Sequence, residues 1–269
     1  MLLTANSLYM KGGESILLGL RLFDTEWGNV QEGQAWAAMH FSEDDEVARI
    51  CDYYTDAGTN LLWLRQHPRD RIRWLEPALA AARQQKDRRA EGVHLGNLGI
   101  AYRNLGEPHR AIEFHEQALA LDREIGNRSG EGQDLGNLGN AYADLGEPRR
   151  AIEFHEQALA LDREIGDRRG EGRDLGGLGI AYKNLGEPRR AIEFYEQWLT
   201  IAREIGDRLG EAQANWNLGL VIEQEGDLVR AAALMQVFVD YLREIGHPDA
   251  EKDAARVTDL RVRITEQNS

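Results

Sequence analysis

Seven histidines and a surplus of carboxylates are the residues in this chain best suited to chemistry. His115 and His155 stand beside Phe114 and Phe154 in two nearly identical segments, 40 residues apart. A metal site or an acid–base pair needs its groups to converge within a few ångströms. If each segment is a helix pair, equivalent atoms of neighbouring segments lie on the order of 10–20 Å apart. The two imidazoles therefore read as side chains packed against an adjacent helix, and Tyr195 takes their place in the next segment. Asp44 and Asp45 follow Ser42 and mark a helix start, with negative charge in the first turn. No G-x-x-x-x-G-K-[ST], G-x-S-x-G or H-E-x-x-H motif occurs. The sequence thus offers no catalytic residue, no metal site and no cofactor site, and no enzyme is expected.

Composition narrows the partners. Lys and Arg number 32 against 46 Asp and Glu, a net charge of −14 over 269 residues. A chain this acidic is not expected to hold nucleic acid or an anionic membrane through charge. Cys51 is the single cysteine, so no intrachain disulfide and no cysteine-based metal cluster can form. There is no apolar run of membrane-spanning length, and no basic stretch followed by an apolar core at the N-terminus. A soluble cytoplasmic protein is expected.

The elements that must position any binding residue are repeated. Leu95-Gly-Asn-Leu-Gly-Ile-Ala-Tyr102, Leu135-Gly-Asn-Leu-Gly-Asn-Ala-Tyr142 and Leu175-Gly-Gly-Leu-Gly-Ile-Ala-Tyr182 are three copies of one motif. Each leads to a Gly-Glu-Pro turn at 106–108, 146–148 or 186–188, then to an Ala-Ile-Glu-Phe run. A weaker copy begins at Asn217-Leu-Gly219. Gly99, Gly139, Gly179 and Gly219 set the period at 40 residues. Each period reads as two helices. In the second copy, Gly146 ends helix A, Pro148 opens helix B, and Ala151, Ile152, Phe154, Ala158, Leu159 and Leu161 form one apolar face. One such pair cannot bury that face alone, so its neighbours must cover it.

Leu138, Gly139, Tyr142, Ala151, Phe154 and Ala158 match the pattern of the tetratricopeptide repeat, and the chain resembles that family over about 87–246. Its period is longer than the usual 34 residues. With the connector Glu164 to Glu171, the unit looks like the variant of kinesin light chains and of cell-polarity adaptors that bind extended peptides. The resemblance implies an all-α fold, a right-handed α-solenoid of stacked antiparallel helix pairs.

The flanks are read around this array. Residues 1–13 show no clear period and are expected to dock loosely. A helix is expected over 14–41, and residues 43–86 read as a divergent first repeat whose first helix includes Leu61 to Leu64. The division expected is a capping region at 1–42, this divergent repeat, four 40-residue units at 87–246, and a capping helix with a loose tail at 247–269. Leu22 to Val30, Gln34 to Ala37 and Arg71 to Glu76 also resemble the segment that joins the ATPase module to helical repeats in bacterial STAND regulators. The ATPase itself would lie outside this chain, which carries no phosphate-cradling loop.

In the tetratricopeptide family, certain helix A positions line the concave face. Carried over, the resemblance implies a peptide-binding groove of Asn97, Arg103, Asn104, Gln133, Asn137, Asn140, Arg173, Lys183, Asn184, Gln213, Trp216 and Asn217. An asparagine side chain both donates and accepts, and so can pair with the main chain of an extended segment. The cations among these residues could select acidic side chains. Trp198 and Trp216 stand where other copies carry alanine and glycine. They either fill a wider junction or serve as an aromatic anchor at one end of the groove. The expected function is binding of a protein or peptide, as scaffold or sensor. The alternatives are the sensory arm of a STAND-type ATPase and a module that self-associates.

Overall fold

The computed structural model describes residues 1–11, 14–57, 61–62 and 66–267. Trp63 and Leu64, expected in a helix, lie outside the described residues, as do Asn268 and Ser269 of the expected tail. The described residues form thirteen helices and no strand. They are α1 Leu2–Met10, α2 Glu14–His40, α3 Asp45–Asp56, α4 Pro68–Gln85, α5 Arg88–Asn104, α6 Pro108–Ile125, α7 Arg128–Asp144, α8 Pro148–Ile165, α9 Arg168–Leu185, α10 Pro188–Glu204, α11 Arg208–Gln224, α12 Leu228–Glu244 and α13 Ala250–Gln267. The chain forms two compact units, Met1–Gly130 and Glu131–Ser269. In each, consecutive helices pack as antiparallel pairs, the architecture of an α-solenoid.

The helix boundaries follow from local chemistry. Pro108, Pro148 and Pro188 open the B helices at positions where a missing N–H costs nothing. Asp167 and Asp207 cap the A helices, their carboxylates accepting from Gly170 N–H at 2.9 Å and Gly210 N–H at 3.0 Å. Helix ends recur every twenty residues in the left-handed conformation. Gly166 and Gly186 have φ of 75° and 81°, and glycine meets that demand without a Cβ penalty. Lys86 holds the same position with φ 57°.

In the first unit, the N-terminus departs from expectation. Residues 2–10 are helical and pack on α2, with Leu2 and Ala5 buried. Gly19 of α2 permits this approach, because a Cβ there would lie 2.6 Å from the Ala5 carbonyl oxygen. Trp27 stacks between Phe23 at 4.9 Å and Trp74 at 5.5 Å, beside buried Val30, Leu61 and Leu62. At its other end, α2 places Ala37 against Ala48, Cys51 and Ala81.

In the second unit, the same contact ties helix A to helix B twice. Tyr142 stacks on Phe154 and Tyr182 on Phe194, each at 5.2 Å. The Arg190 guanidinium lies 3.8 Å over the Tyr182 ring, covering the outer edge of that stack. Between successive pairs, Arg163 donates to Glu171 and Arg203 to Glu211, each at 2.8 Å. These ion pairs fix register more than they add stability, since their arginines are half-exposed. The expected C-terminal helix is present as α13, and it includes Glu266 and Gln267.

Candidate peptide-binding face

The A helices of the second unit are α7, α9 and α11. Gln133, Asn137 and Asn140 stand four and three residues apart on α7, so they form one stripe. Gln133 is exposed, and the two asparagines are half-buried. On α11, Gln213 and Asn217 repeat the stripe with the same exposure. On α9, Arg173 and Asn184 are exposed and Lys183 is half-buried. The asparagine is missing there: Gly177 replaces it, and a Cβ at Gly177 would meet His155 Cε1 at 2.3 Å. In the first unit, α5 carries the corresponding stripe of half-buried Asn97 and Arg103 with exposed Asn104.

Most of these amides are unused by the protein. Among the described residues, Asn137, Asn140, Asn184, Gln213 and Asn217 make no side-chain hydrogen bond, whereas Gln133 and Arg103 have internal partners. Half-buried amides carry part of a desolvation cost that a ligand's main chain can offset. Lys183 has no ion-pair partner among the described residues.

Three positions have structural duties as well. Arg173 lies 4.0 Å from Asp167, and its charge offsets part of the burial that raises the pKa of Asp162 and Asp174. Trp216 tilts against Phe238 with ring centroids 5.0 Å apart. Trp198 covers Gly176, where an added Cβ would lie 3.0 Å from the indole. Both rings thus fill space between paired helices. At the register of Lys183, α11 carries Glu223, which accepts from Arg256 at 2.8 Å and Arg263 at 2.7 Å of α13. Burial opposes ionisation of Glu223, but the two guanidiniums hold its pKa below the ordinary range.

Behind this face runs a buried polar chain that the motif reading missed. His155 is 2% exposed and pairs through Nδ1 with Asp174 at 3.1 Å. The charge of Asp174 in turn acts on the buried Asp162 and helps raise its pKa. In the first unit, His94 pairs with Asp52 through its other ring nitrogen, Nε2. The signal was present in the repeat: Asp122 and Asp162 share one register, as do Asp134 and Asp174, all on buried faces. Among the described residues, no three His, Cys, Asp or Glu side chains are placed to hold a metal ion. Burial and the neighbouring Asp52 push the Cys51 thiol up to about 11, so it is not a reactive thiolate near neutral pH. Among the described residues, no helix is long and apolar enough to cross a membrane.

Residues 95–129 and 135–204 match family models of the tetratricopeptide repeat, and these segments are tetratricopeptide repeats. No curated protein matches the chain. Among solved structures, the nearly identical repeats of a Podosopora anserina kinesin light chain align with a TM-score of 0.54 and 17% identity, covering 78% of this chain and 97% of that one. A STAND protein with a tetratricopeptide repeat sensor from Pyrococcus horikoshii aligns at 0.60 and 17% identity, covering 89% of this chain but 41% of that one. A Rap protein complexed with Competence and Sporulation Factor aligns at 0.59 and 14% identity, covering 90% and 74%. At these identities the likeness is one of fold.

Proposed function

We propose that the helix A faces of the second unit bind an extended segment of a partner protein, as a scaffold or a sensor. One observation carries this reading. Asn137, Asn140 and Asn217 are half-buried and have no hydrogen-bond partner among the described residues, and Asn137 and Asn217 hold the same register on α7 and α11. Each amide can donate to a peptide carbonyl and accept from a peptide N–H. Lys183 and Arg173 favour acidic side chains on that segment. The Rap protein that shares the fold is itself complexed with a factor, which agrees with this use of the architecture. The net charge of −14 disfavours nucleic acid and anionic membranes as partners, and we place the protein in the cytoplasm. Affinity capture from source lysate with the wild-type chain and with Asn137→Ala/Asn140→Ala in parallel tests the proposal. A partner held by the first and lost by the second supports it, and a partner held equally by both removes it.

A second reading has its own support, the alignment of 89% of this chain with a STAND protein that carries a repeat sensor. On that reading the chain senses a partner for a nucleotide-driven switch supplied by another module. Co-purification with a nucleotide-hydrolysing protein would favour it. Self-association is the third reading, and a mass in solution that rises with concentration would identify it.

A further inference from the structure

Three ionisable side chains fill the joint between α7, α8 and α9. His155 and Asp162 come from α8 and Asp174 from α9, and all three are buried. The flanking helices meet them with glycine. On α7, a Cβ at Gly132 would lie 2.7 Å from Asp162 Oδ1, one at Gly136 2.8 Å from Asp174 Oδ1, and one at Gly139 2.6 Å from the His155 ring. On α9, a Cβ at Gly170 would lie 1.9 Å from Asp162 Oδ2, and one at Gly177 2.3 Å from His155 Cε1. These glycines seat α7 and α9 directly on groups that can gain or lose a proton.

The charges that act on this cluster come from α8, α9 and the connector between them. Burial, then the charges of Asp174 and Asp167, raise the pKa of Asp162, and Arg173 works against them. Burial raises Asp174 as well, while its hydrogen bond with His155 pulls the other way. His155 turns Nδ1 to Asp174 at 3.1 Å, and its Nε2 has no hydrogen-bond partner among the described residues. The α7 glycines bring no charge, and α10 meets α9 here with the Trp198 indole over Gly172 and Gly176. An ionised Asp162 therefore places a negative charge against Asp174, and the Arg173 guanidinium that opposes it is exposed.

We infer that this joint is operated by a proton: α7 and α9 pack tightly while Asp162 is neutral and part when it ionises. The amides of α7 then shift relative to the cations of α9, so a segment bound across both helices is held more firmly at low pH than at high. That consequence rests on the proposed binding face, whereas the opening of the joint does not. Asp162 titrates at about 7 in the closed joint and at about 3.9 once water reaches it, so the closed form keeps a proton that the open form releases. Closing is favoured at low pH, and its equilibrium constant falls about tenfold between pH 6 and pH 8. Stacked helix pairs contact only their neighbours, which lets one joint open without global unfolding.

Hydrogen exchange of the full chain, read by mass spectrometry at pH 6 and pH 8 and corrected for the intrinsic rate at each pH, follows the opening without a partner. Peptides from α7 and α9 should lose about tenfold in protection at pH 8, and peptides from α12, outside this joint, should keep theirs. Asp162→Asn cannot ionise and should remove the pH dependence from α7 and α9. Arg173→Gln, at an exposed position, removes a cation that favours ionised Asp162 and should move the loss of protection to higher pH. This second variant decides the matter even if the first fails to fold. Protection that ignores pH, that falls equally in α12, or that falls as before in Asp162→Asn overturns the inference. So does a transition in Arg173→Gln that stays in place or moves to lower pH. If α7 and α9 open with pH while a captured partner ignores Asn137 and Asn140, the joint stands and the binding face is withdrawn. If they stay closed while the partner depends on those asparagines, the joint is withdrawn and the binding face stands.

Discussion

Asp162 on α8 and Asp174 on α9 are buried carboxyl groups close enough for the charge of one to hinder ionisation of the other. Burial, then the charges of Asp174 and Asp167, push Asp162 up to about 7, against the opposing pull of Arg173. Burial also raises Asp174, although its bond to His155 works the other way. An aspartate in the unfolded chain ionises near pH ~3.9. Between about pH 4 and 7 the folded chain therefore keeps a proton that the unfolded chain has released, and this pair's contribution to stability falls as pH rises through that window. Asp162→Asn keeps the shape and removes the ionisation. Its stability relative to wild type, from urea unfolding, should increase between pH 5 and pH 8. A difference that stays constant or shrinks counts against a raised Asp162.

Lys86 occupies a left-handed position that glycine fills at Gly126, Gly166, Gly206 and Gly246. Its Cβ costs about 1 kcal/mol in that conformation. Lys86→Gly should therefore raise stability by up to about 1 kcal/mol, although glycine gives up more chain entropy on folding. Denaturant midpoints of the two proteins decide the matter, and a lower midpoint for the glycine variant would contradict the strain.

Two helical glycines should respond in opposite directions to alanine. A Cβ at Gly139 would lie 2.6 Å from the His155 ring, which is itself held by Asp174. Gly139→Ala should overpack that contact and cost about 1–3 kcal/mol. Gly28 in α2 has nothing within 4 Å of an added Cβ, so Gly28→Ala should stabilise by about 0.5–1 kcal/mol through backbone entropy alone. Thermal unfolding of both variants measures this, and two shifts of the same sign would show that close approach is not what holds Gly139.

The repeat was legible because a 40-residue spacing repeats its caps, prolines and stacked rings together, as Pro148, Tyr142 and Phe154 do. The stripe of amides rested on the resemblance to the tetratricopeptide repeat, whose helix A positions line a concave face. Helix α1 was not legible. Its leucines form no single face, and it is anchored by Leu2, Ala5 and Tyr9 packing with α2. The His155–Asp174 pair was hidden for a different reason. Its partners stand 19 residues apart on different helices, at positions where an apolar residue is the ordinary choice. Trp198 and Trp216 drew notice as departures from the pattern. Only the packing shows that each ring first fills a gap, one over Gly176 and the other on Phe238.

The most direct measurement is the affinity of a captured partner segment for three forms of the chain, determined by titration calorimetry. Asn137→Ala/Asn140→Ala removes two unpaired amides of the α7 stripe, and Glu153→Ala removes an exposed carboxylate from helix α8. The double substitution should weaken binding by about 1–3 kcal/mol, because each lost bond leaves a buried peptide group unpaired. It should leave the melting temperature almost unchanged, since neither amide contributes to folding through a hydrogen bond. Glu153→Ala should change neither quantity. Equal losses from the two helices, or an affinity indifferent to the asparagines, would place the partner elsewhere on the protein and contradict the assignment of this face.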